Sequence, residues 1–218
     1  MPTRLAVFDC DGTISDGQAA VCAAMARAFS AVGLVVPSDN AIRRIVGLSL
    51  PVAVRHLAPD EQPDMHAQVV DAYRAAFFKA RSEGLVAEPL YDGIRELLGS
   101  LHAKGWRLGV ATGKSDRGLT GCLVKHGIFD LFVTLQTADR HPSKPDPSML
   151  VTAMQDAGSE PRDTVMIGDT AFDMAMARAA GCRAIGVAWG YHAPAELLEA
   201  GAEAVAQTTA ELEDLIDG

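Results

Sequence analysis

Leu5 to Phe8 is the first hydrophobic stretch of the chain, four apolar residues in a row without polar alternation. A short continuous run of this kind predicts a strand that is buried on both faces of a parallel sheet. The run leads directly into Asp9 and Asp11, which extended backbone would place on the same side. Gly12 follows and permits a tight turn with positive φ. The pattern therefore predicts a buried strand that delivers two carboxylates to one edge of a sheet.

Residues 16–88 carry helical periodicity and no strand pattern. An amphipathic helix is predicted to end at Gly33, because apolar residues recur before it at spacings of four, four and three. These residues are Val21, Met25, Phe29 and Val32. Three further helices are predicted, one running to Val46 from a cap at Ser38 or Asp39, one running to Leu57 with Pro51 in its first turn, and one spanning 60–81.

From Tyr91 onward, helices and strands alternate. Helices are predicted at 93–104, 118–126, 147–157 and 171–180, strands at 108–111, 131–135, 165–167 and 184–187, and two short helices close the chain. Such alternation implies right-handed crossovers and a parallel sheet covered on both faces. The predicted fold class is therefore α/β, a Rossmann-like doubly wound parallel sheet. Residues 1–15 and 89–218 would form this core domain, and residues 16–88 an inserted α-helical domain, called the helical insert below.

Composition narrows the class of protein. With 218 residues and 49% hydrophobic content, the chain can form one domain plus an insert. The net charge of −9 and the lack of any run of Lys or Arg disfavour nucleic acid and anionic membrane surfaces as partners. No segment approaches the ~20 apolar residues of a membrane span, and the N-terminus does not resemble a secretion signal. We therefore expect a soluble, cytoplasmic protein.

The four cysteines lack the spacing of metal ligands and are interpreted as small buried hydrophobic residues, not as a disulfide framework. They are Cys10, Cys22, Cys122 and Cys182. Cys10 lies between the two acids that follow the first strand, and its role stays open.

Asp9 and Asp11 are the first candidates for chemistry. Two neighbouring carboxylates repel each other and need a cation or a shared proton. Mg²⁺ binds oxygen ligands, commonly one or two carboxylates together with a substrate phosphate. Taken alone, however, the same residues also fit a turn followed by helix-capping groups.

Two later segments carry further candidates, one at a strand end and one in a loop. Thr112 and Gly113 follow a strand and can offer a hydroxyl and backbone N–H groups to a phosphate oxygen, although a simple capping turn fits equally well. Pro145 restricts Lys144 to extended backbone, which would hold its ammonium on a stiff loop, unless this lysine is merely solvated.

Asp169 and Asp173 are the last acidic pair. Asp169 ends a predicted strand, and Asp173 lies four residues later, one turn into the next helix, so both carboxylates can face one point. An acid in the first turn of a helix also interacts favourably with the helix dipole, which is the alternative interpretation.

Together, FDCDGT (8–13), VATGKS (110–115), KP (144–145) and GDTAFD (168–173) resemble, in order, the four motifs of the haloacid dehalogenase-like hydrolases, a family of Mg²⁺-dependent phosphotransferases. The resemblance covers essentially the whole chain. The helical insert resembles the α-helical cap of the branch that includes phosphoglycolate phosphatases and β-phosphoglucomutases. The family strand order, third-second-first-fourth-fifth, would make Asp9 and Asp169 neighbours beyond the carboxyl ends of the strands.

The resemblance also implies the site. It makes Asp9 the nucleophile, Asp11 the general acid and base, and Thr112 and Lys144 the groups that stabilise the phosphoryl oxygens, with the Gly113 N–H beside them. It assigns Mg²⁺ to Asp9, the backbone carbonyl of Asp11 and Asp169, with Asp173 binding the ion or orienting a metal-bound water. Residues 187–192 would form a site wall, and the segments around Ser15 and 90–94 would be hinges.

The sequence departs from the family at Gly113, where many relatives have Asn, so the leaving group is less defined. Within this resemblance, an acid at position 11 argues against dehalogenases and phosphonatases. Two alternatives to a phosphatase stay open, a hexose-phosphate mutase and a non-catalytic binding protein on the same fold. Thr13 favours hydrolysis over the mutase.

The expected substrate is a small phosphate monoester, such as phosphoglycolate or a sugar phosphate, because an insert of roughly 70 residues closing over the site would exclude folded proteins. Arg44, in the segment IRRIVG (42–47), is predicted to reach a substrate carboxylate or hydroxyl. The protein is expected to be a monomer or a homodimer.

Overall fold

A single parallel sheet of six strands organises the computed structural model, which describes residues 2–218. In chain order the strands are β1 (Leu5–Phe8), β2 (Arg107–Thr112), β3 (Phe132–Thr137), β4 (Thr164–Gly168), β5 (Arg183–Val187) and β6 (Ala204–Ala206). Their spatial order is β3-β2-β1-β4-β5-β6. This confirms the order expected for the first five strands and adds β6, which the sequence pattern had not indicated.

Within residues 2–218 the chain also forms ten α-helices. They are α1 (Gln18–Ala31), α2 (Asp39–Arg43), α3 (Leu50–Leu57), α4 (Pro63–Ser82), α5 (Ile94–Ala103), α6 (Asp116–Lys125), α7 (Ser148–Ala157), α8 (Ala171–Ala180), α9 (Pro194–Ala200) and α10 (Thr209–Asp217). No helix in this described part of the chain has the length and apolar character needed to cross a membrane.

β1 is central, and both of its faces are covered. Ala6 and Phe8 pack into a cluster with α5, α6 and α10, whereas Leu5 and Val7 pack into a second cluster with α7, α8 and α9. All four side chains are fully buried, as the unbroken apolar run predicted. Because β1 pairs with β2 on one side and β4 on the other, the residues that follow these three strands meet at one edge.

The helical insert has an apolar cluster of its own, formed by residues of α1 to α4 that include Met25, Phe29 and Val69. Two boundaries differ from the prediction by three residues. α2 is capped by the Ser38 side chain, which accepts from Ala41 N, but it ends at Arg43 and the chain turns towards Gly47 at φ +99°. α4 begins at Pro63 and not at residue 60, since proline suits the first turn of a helix.

Candidate active site

The carboxyl ends of β1, β2 and β4 lie side by side, as the strand order requires. Asp9 follows β1, Thr112 is the last residue of β2, and Asp169 follows β4. Carboxylate oxygens of Asp9, Asp169 and Asp173 all lie within 4.8 Å of one another, and all three side chains are buried. The structure therefore brings together acids that are up to 164 residues apart in sequence (173 minus 9).

Lys144 is the cation at the centre of this cluster. Its side chain is fully buried, and its Nζ lies 3.0 Å from Asp9 Oδ1 and 2.6 Å from Asp173 Oδ1. Burial lowers the pKa of Lys144, but the negative charges of Asp173 and Asp9 outweigh this effect and raise it. The ammonium therefore stays charged and fixed beside Asp9.

Asp9 has one oxygen engaged and one free. The Cys10 backbone N–H donates to Asp9 Oδ1 at 2.7 Å, on the same oxygen that faces Lys144. Asp9 Oδ2 is buried and receives no hydrogen bond from any described residue. Burial raises the pKa of Asp9 to about 7, against the opposing charge of Lys144. An unpartnered buried carboxylate oxygen is costly unless a ligand or reaction partner uses it.

Asp169 is held by donors from two different loops. The Thr13 hydroxyl donates to Oδ1 at 2.8 Å, and the Tyr191 backbone N–H donates to Oδ2 at 2.9 Å. The chain approaches Asp169 closely at Gly12 (φ +87°) and Gly190, where a Cβ atom would overlap the aspartate. These contacts explain the glycine after the first acidic pair and make the predicted wall segment a support for Asp169.

Asp173 is engaged mainly by the protein. Its Oδ2 accepts from the Thr170 hydroxyl at 2.7 Å and from the Thr170 backbone N–H at 3.1 Å, which forms the capping box of α8. Its Oδ1 accepts from Lys144. The structure therefore gives Asp173 the task of holding Lys144 and the start of α8, in addition to its place among the three acids.

The donor set fits a divalent cation with a preference for oxygen. Three buried carboxylates lie together, and the Lys144 ammonium contacts only Asp9 and Asp173 among them. Asp9 Oδ2 is unpartnered, and burial followed by the charge of Asp9 raises the pKa of Asp169 well above its ordinary value. Carboxylates that cannot all ionise in a buried site gain from a cation that neutralises them.

Asp11 begins a chain of alternating charges. Lys114 Nζ lies 2.9 Å from Asp11 Oδ1 and 2.7 Å from Glu88 Oε1, and Arg81 Nη2 lies 2.6 Å from Glu88 Oε2. The contact with Asp11 is an ion pair without hydrogen-bond alignment, so Asp11 Oδ1 has no hydrogen-bond donor among residues 2–218. Burial lowers the pKa of Lys114, but negative neighbours, Asp11 first, raise it well above its ordinary value.

Sequence reasoning missed Lys114 and Glu88. Lys114 belongs to the motif VATGKS (110–115) and directly follows Thr112 and Gly113. The available signal was a charged residue so close to a strand end. Glu88 carried no signal, because only the folded chain brings it to Lys114 from the connection before α5.

Thr112 and Gly113 both line a cavity of about 600 Å³. Thr112 is buried, and its hydroxyl accepts from the Lys114 backbone N–H at 3.3 Å. Gly113 packs against the helical insert, because a Cβ atom there would lie 2.5 Å from the Leu48 carbonyl oxygen. Asp9 and Asp11 line the same cavity.

Arg44 lies outside the cavity in this structure, and its predicted contact with a substrate stays a prediction. Its Nη1 pairs with Glu196 Oε2 at 2.6 Å on the surface, and it is not among the described residues that line the cavity. The reason is that α2 ends at Arg43, and the turn that follows directs the Arg44 side chain towards α9.

Two further side chains near the motifs, His141 and Cys10, have structural partners. His141 contacts the Ser148 hydroxyl and the Gln136 carboxamide, and burial lowers its pKa. The Cys10 sulfur faces the Ser15 hydroxyl at 3.7 Å, so the backbone of Cys10, and not its thiol, contacts Asp9. Within residues 2–218 the four cysteines are free thiols, three of them buried.

Comparisons with known proteins agree with this geometry. A sequence profile described as "Haloacid dehalogenase-like hydrolase" matches residues 6–187. "Probable phosphatase IndB" of Dickeya dadantii is 33% identical over 213 residues, which cover 95% of this chain and 91% of that protein. A phosphoglycolate phosphatase of Vibrio vulnificus is 27% identical, covering 98% and 96%. The structure of a predicted phosphatase from Clostridium acetobutylicum superimposes with a TM-score of 0.88 at 25% identity and covers 99% of both chains.

Proposed function

The chain belongs to the haloacid dehalogenase-like hydrolase family, and on that premise we propose that it is a Mg²⁺-dependent phosphatase that hydrolyses phosphate monoesters through an aspartyl-phosphate on Asp9. One observation carries the proposal. The buried, unpartnered Asp9 Oδ2 belongs to a carboxylate whose other oxygen is 3.0 Å from the fixed ammonium of Lys144. This arrangement supplies a nucleophilic oxygen that is held in one orientation and shielded from bulk water.

Asp9 and Asp11 divide the reaction between them. Asp9 Oδ2 attacks phosphorus, and the bond from phosphorus to the ester oxygen breaks while Asp11 gives its proton to the departing alkoxide. Asp11, now ionised, takes a proton from a water molecule that attacks the aspartyl-phosphate. The acyl phosphate then separates into inorganic phosphate and the regenerated Asp9 carboxylate.

Lys144, Thr112 and Gly113 act on the charge of the transferring group. The Lys144 ammonium lies beside the attacking carboxylate, where it can share negative charge between Asp9 and the phosphoryl oxygens. Thr112 and Gly113 line the same cavity as Asp9, and we propose that the Thr112 hydroxyl and the Gly113 backbone N–H donate to those oxygens. Asp173 keeps Lys144 in position through the 2.6 Å ion pair.

Asp9, the Asp11 backbone carbonyl and Asp169 are the groups that would hold Mg²⁺, with Asp173 next to them. When bound, Mg²⁺ neutralises negative charge and polarises the phosphoryl group. The Thr13 hydroxyl and the Tyr191 backbone N–H, which come from two different loops, each donate a hydrogen bond to one oxygen of Asp169. These two hydrogen bonds keep the Asp169 carboxylate turned towards Asp9.

The helical insert is proposed to act as a cap that closes over the strand ends. It already contacts the core beside the catalytic lysine, since the Ser49 backbone N–H donates to the Ser143 hydroxyl at 2.8 Å. Closure would exclude water and strengthen the charge contacts inside. We further propose that the protein is cytoplasmic and acts as a monomer or a homodimer.

The test is hydrolysis of p-nitrophenyl phosphate and of alkyl phosphates with Mg²⁺, in the wild type and in Asp9→Asn. Asparagine keeps the volume of the side chain but is no nucleophile, so we expect activity to fall by at least about 10³-fold, as when other covalent nucleophiles are removed. Excess chelator should abolish wild-type activity, and added Mg²⁺ should restore it.

Circular dichroism of Asp9→Asn controls for folding. Substantial activity in folded Asp9→Asn would exclude Asp9 as the nucleophile, and full activity in chelator would exclude the metal. Product analysis separates a phosphatase from a mutase, because a phosphatase releases inorganic phosphate whereas a mutase given a hexose phosphate returns its isomer.

A further inference from the structure

The cavity beside Asp9 has an apolar wall. Met25 of α1 and Tyr73 and Phe77 of α4 line it, together with Val46 and Leu50. The rings of Tyr73 and Phe77 stack with their centroids 5.8 Å apart and their planes at 22°. The wall therefore brings two stacked aromatic rings and the largely buried Met25 to the same cavity as the catalytic carboxylates.

The cations nearest the carboxylates are already neutralised. Lys114 is paired with both Asp11 and Glu88, and Arg81 is paired with Glu88. A substrate carboxylate next to the phosphoryl group would have to displace one of these partners and leave a buried acid unpaired, which is unfavourable. The inner part of the cavity is consequently adapted to an uncharged group.

Two further arginines, Arg74 of α4 and Arg117 of α6, also line the cavity. Arg117 lies over the Phe78 ring, 4.5 Å from its centroid, and Arg74 lies 3.7 Å from Asp71. Both arginines are exposed, so they are at the mouth of the cavity and not beside Asp9 and Asp11.

The volume of the cavity also favours a substrate with a large apolar group. A cavity of about 600 Å³ falls within the range of about 300–1,000 Å³ that is typical of pockets for drug-sized ligands, and such pockets are lined mainly by hydrophobic and aromatic side chains. A two-carbon leaving group such as glycolate would leave most of this space and the aromatic wall unused.

We propose that the preferred substrates are phosphate monoesters whose alcohol carries an aromatic ring or an apolar group of similar size, bound against Met25, Tyr73 and Phe77. This inference rests on the proposed phosphatase function, and its apolar alcohol differs from the small polar alcohols of phosphoglycolate and sugar phosphates that the sequence led us to expect. The phosphoryl group occupies the end with Asp9 and Thr112, and the ring occupies the end formed by α1 and α4.

The experiment compares three esters of primary alcohols, 2-phenylethyl phosphate, ethyl phosphate and phosphoglycolate. We expect kcat/KM to be at least about tenfold higher for 2-phenylethyl phosphate than for either of the others, because even one methylene in an apolar pocket changes it by about 10-fold or more. Equal values for the three esters, or a preference for ethyl phosphate or phosphoglycolate, would overturn the inference.

p-Nitrophenyl phosphate and acetyl phosphate separate the two levels of the argument. Hydrolysis of either one with Mg²⁺ supports the phosphatase, so a wrong ranking of the three esters then overturns the substrate class alone. If no phosphate ester is hydrolysed by the folded protein, the proposed function fails and the inference fails with it.

Variants locate the effect at the wall. Phe77→Ala should lower kcat/KM for 2-phenylethyl phosphate about tenfold and change that for ethyl phosphate by less than about twofold. If Phe77→Ala does not fold, Phe77→Leu keeps an apolar side chain and should give a smaller loss in the same direction. Val35→Ala is the control, because Val35 is 91% exposed and should leave both values unchanged. Equal losses on both esters in the Phe77 variants would contradict a role in recognising the ring.

Discussion

Lys114 is the residue whose surroundings bear most directly on the proposed general acid. Its ammonium lies between two carboxylates, one on Asp11 and one on Glu88, and its side chain is 8% exposed. An ion pair in so enclosed a position restricts the rotamers of Asp11, since any large movement of Asp11 would leave the ammonium with Glu88 alone, a carboxylate that it shares with Arg81. We therefore regard Lys114 as a positioning residue for Asp11.

A change of Lys114→Met should make the reaction depend more strongly on the leaving group. Ethoxide needs a proton when it departs, whereas 2,4-dinitrophenolate does not, and general acid catalysis is worth about 10²–10⁴-fold. We expect kcat/KM to fall at least about tenfold for ethyl phosphate and less than about threefold for 2,4-dinitrophenyl phosphate. Both values are measured at saturating Mg²⁺.

Lys104→Met is the matched control for this prediction, because Lys104 forms ion pairs with Glu213 and Asp217 on the surface. It should affect neither ester. Equal losses on both esters in Lys114→Met would indicate a general structural defect and would remove the positioning role.

At the level of elements, the end of β2 and the connection from α2 to α3 meet at Gly113. The contact has no room for a side chain, because a Cβ atom would lie 2.5 Å from the Leu48 carbonyl oxygen and 2.7 Å from that of Gly47. The glycine at position 113 thus lets the helical insert approach the strand end with its backbone.

Gly113→Ala should consequently push the helical insert away from the core. We expect a loss of about 1–3 kcal/mol in the free energy of unfolding, which is typical of overpacking, and at least about a tenfold loss in kcat/KM for alkyl phosphates. Denaturant unfolding and steady-state kinetics measure the two effects.

The comparison is Gly99→Ala in α5, where a Cβ atom would meet open space. That change should keep activity and stabilise the protein by up to about 1 kcal/mol, as alanine does in helices. Wild-type stability and activity in Gly113→Ala would show that the contact at Leu48 is not tight in solution.

For the whole molecule, the buried acids make stability depend on pH. Burial raises the pKa of Asp9 from 3.8 in the unfolded chain to about 7 in the folded protein. Between these values the folded state binds more protons than the unfolded state, so this group's contribution to the free energy of unfolding is lost as pH rises through about 7. Mg²⁺ would offset the loss above pH 7 by binding only the folded state.

Asp9→Asn should remove this dependence. In chelator, we expect the variant to gain about 2–3 kcal/mol of stability relative to the wild type as pH rises from 5 to 8, because about two pKa units of the shift lie between pH 5 and 7. Urea unfolding of both proteins at each pH measures the difference, and the subtraction cancels the histidines and surface carboxylates common to both. A difference that does not vary with pH would mean that Asp9 is ionised throughout.

The sequence predicts that the motifs meet at one edge of the sheet, and the reason is local. Each acid or hydroxyl comes at the end of a short apolar run, and parallel strands bring their carboxyl ends to one edge of the sheet. The apolar pattern alone therefore predicted that Asp9, Thr112 and Asp169 follow strands of one sheet, and the strand order that places them together is confirmed. β6 escaped prediction because three residues, Ala204 to Ala206, carry too little periodicity and are recognised as a strand only by pairing with β5.

Long-range contacts decided the rest. Arg44 forms an ion pair with Glu196, 152 residues away. Lys114 forms ion pairs with Asp11 and Glu88. Neither set of partners could be predicted from neighbouring residues. Met25 showed only the period of a buried helix face, and the fold determines that it also meets the active-site cavity. Backbone patterns are set by residues a few positions apart and persist in the fold. The partner of a long side chain depends on which distant elements the completed sheet and helices bring to it.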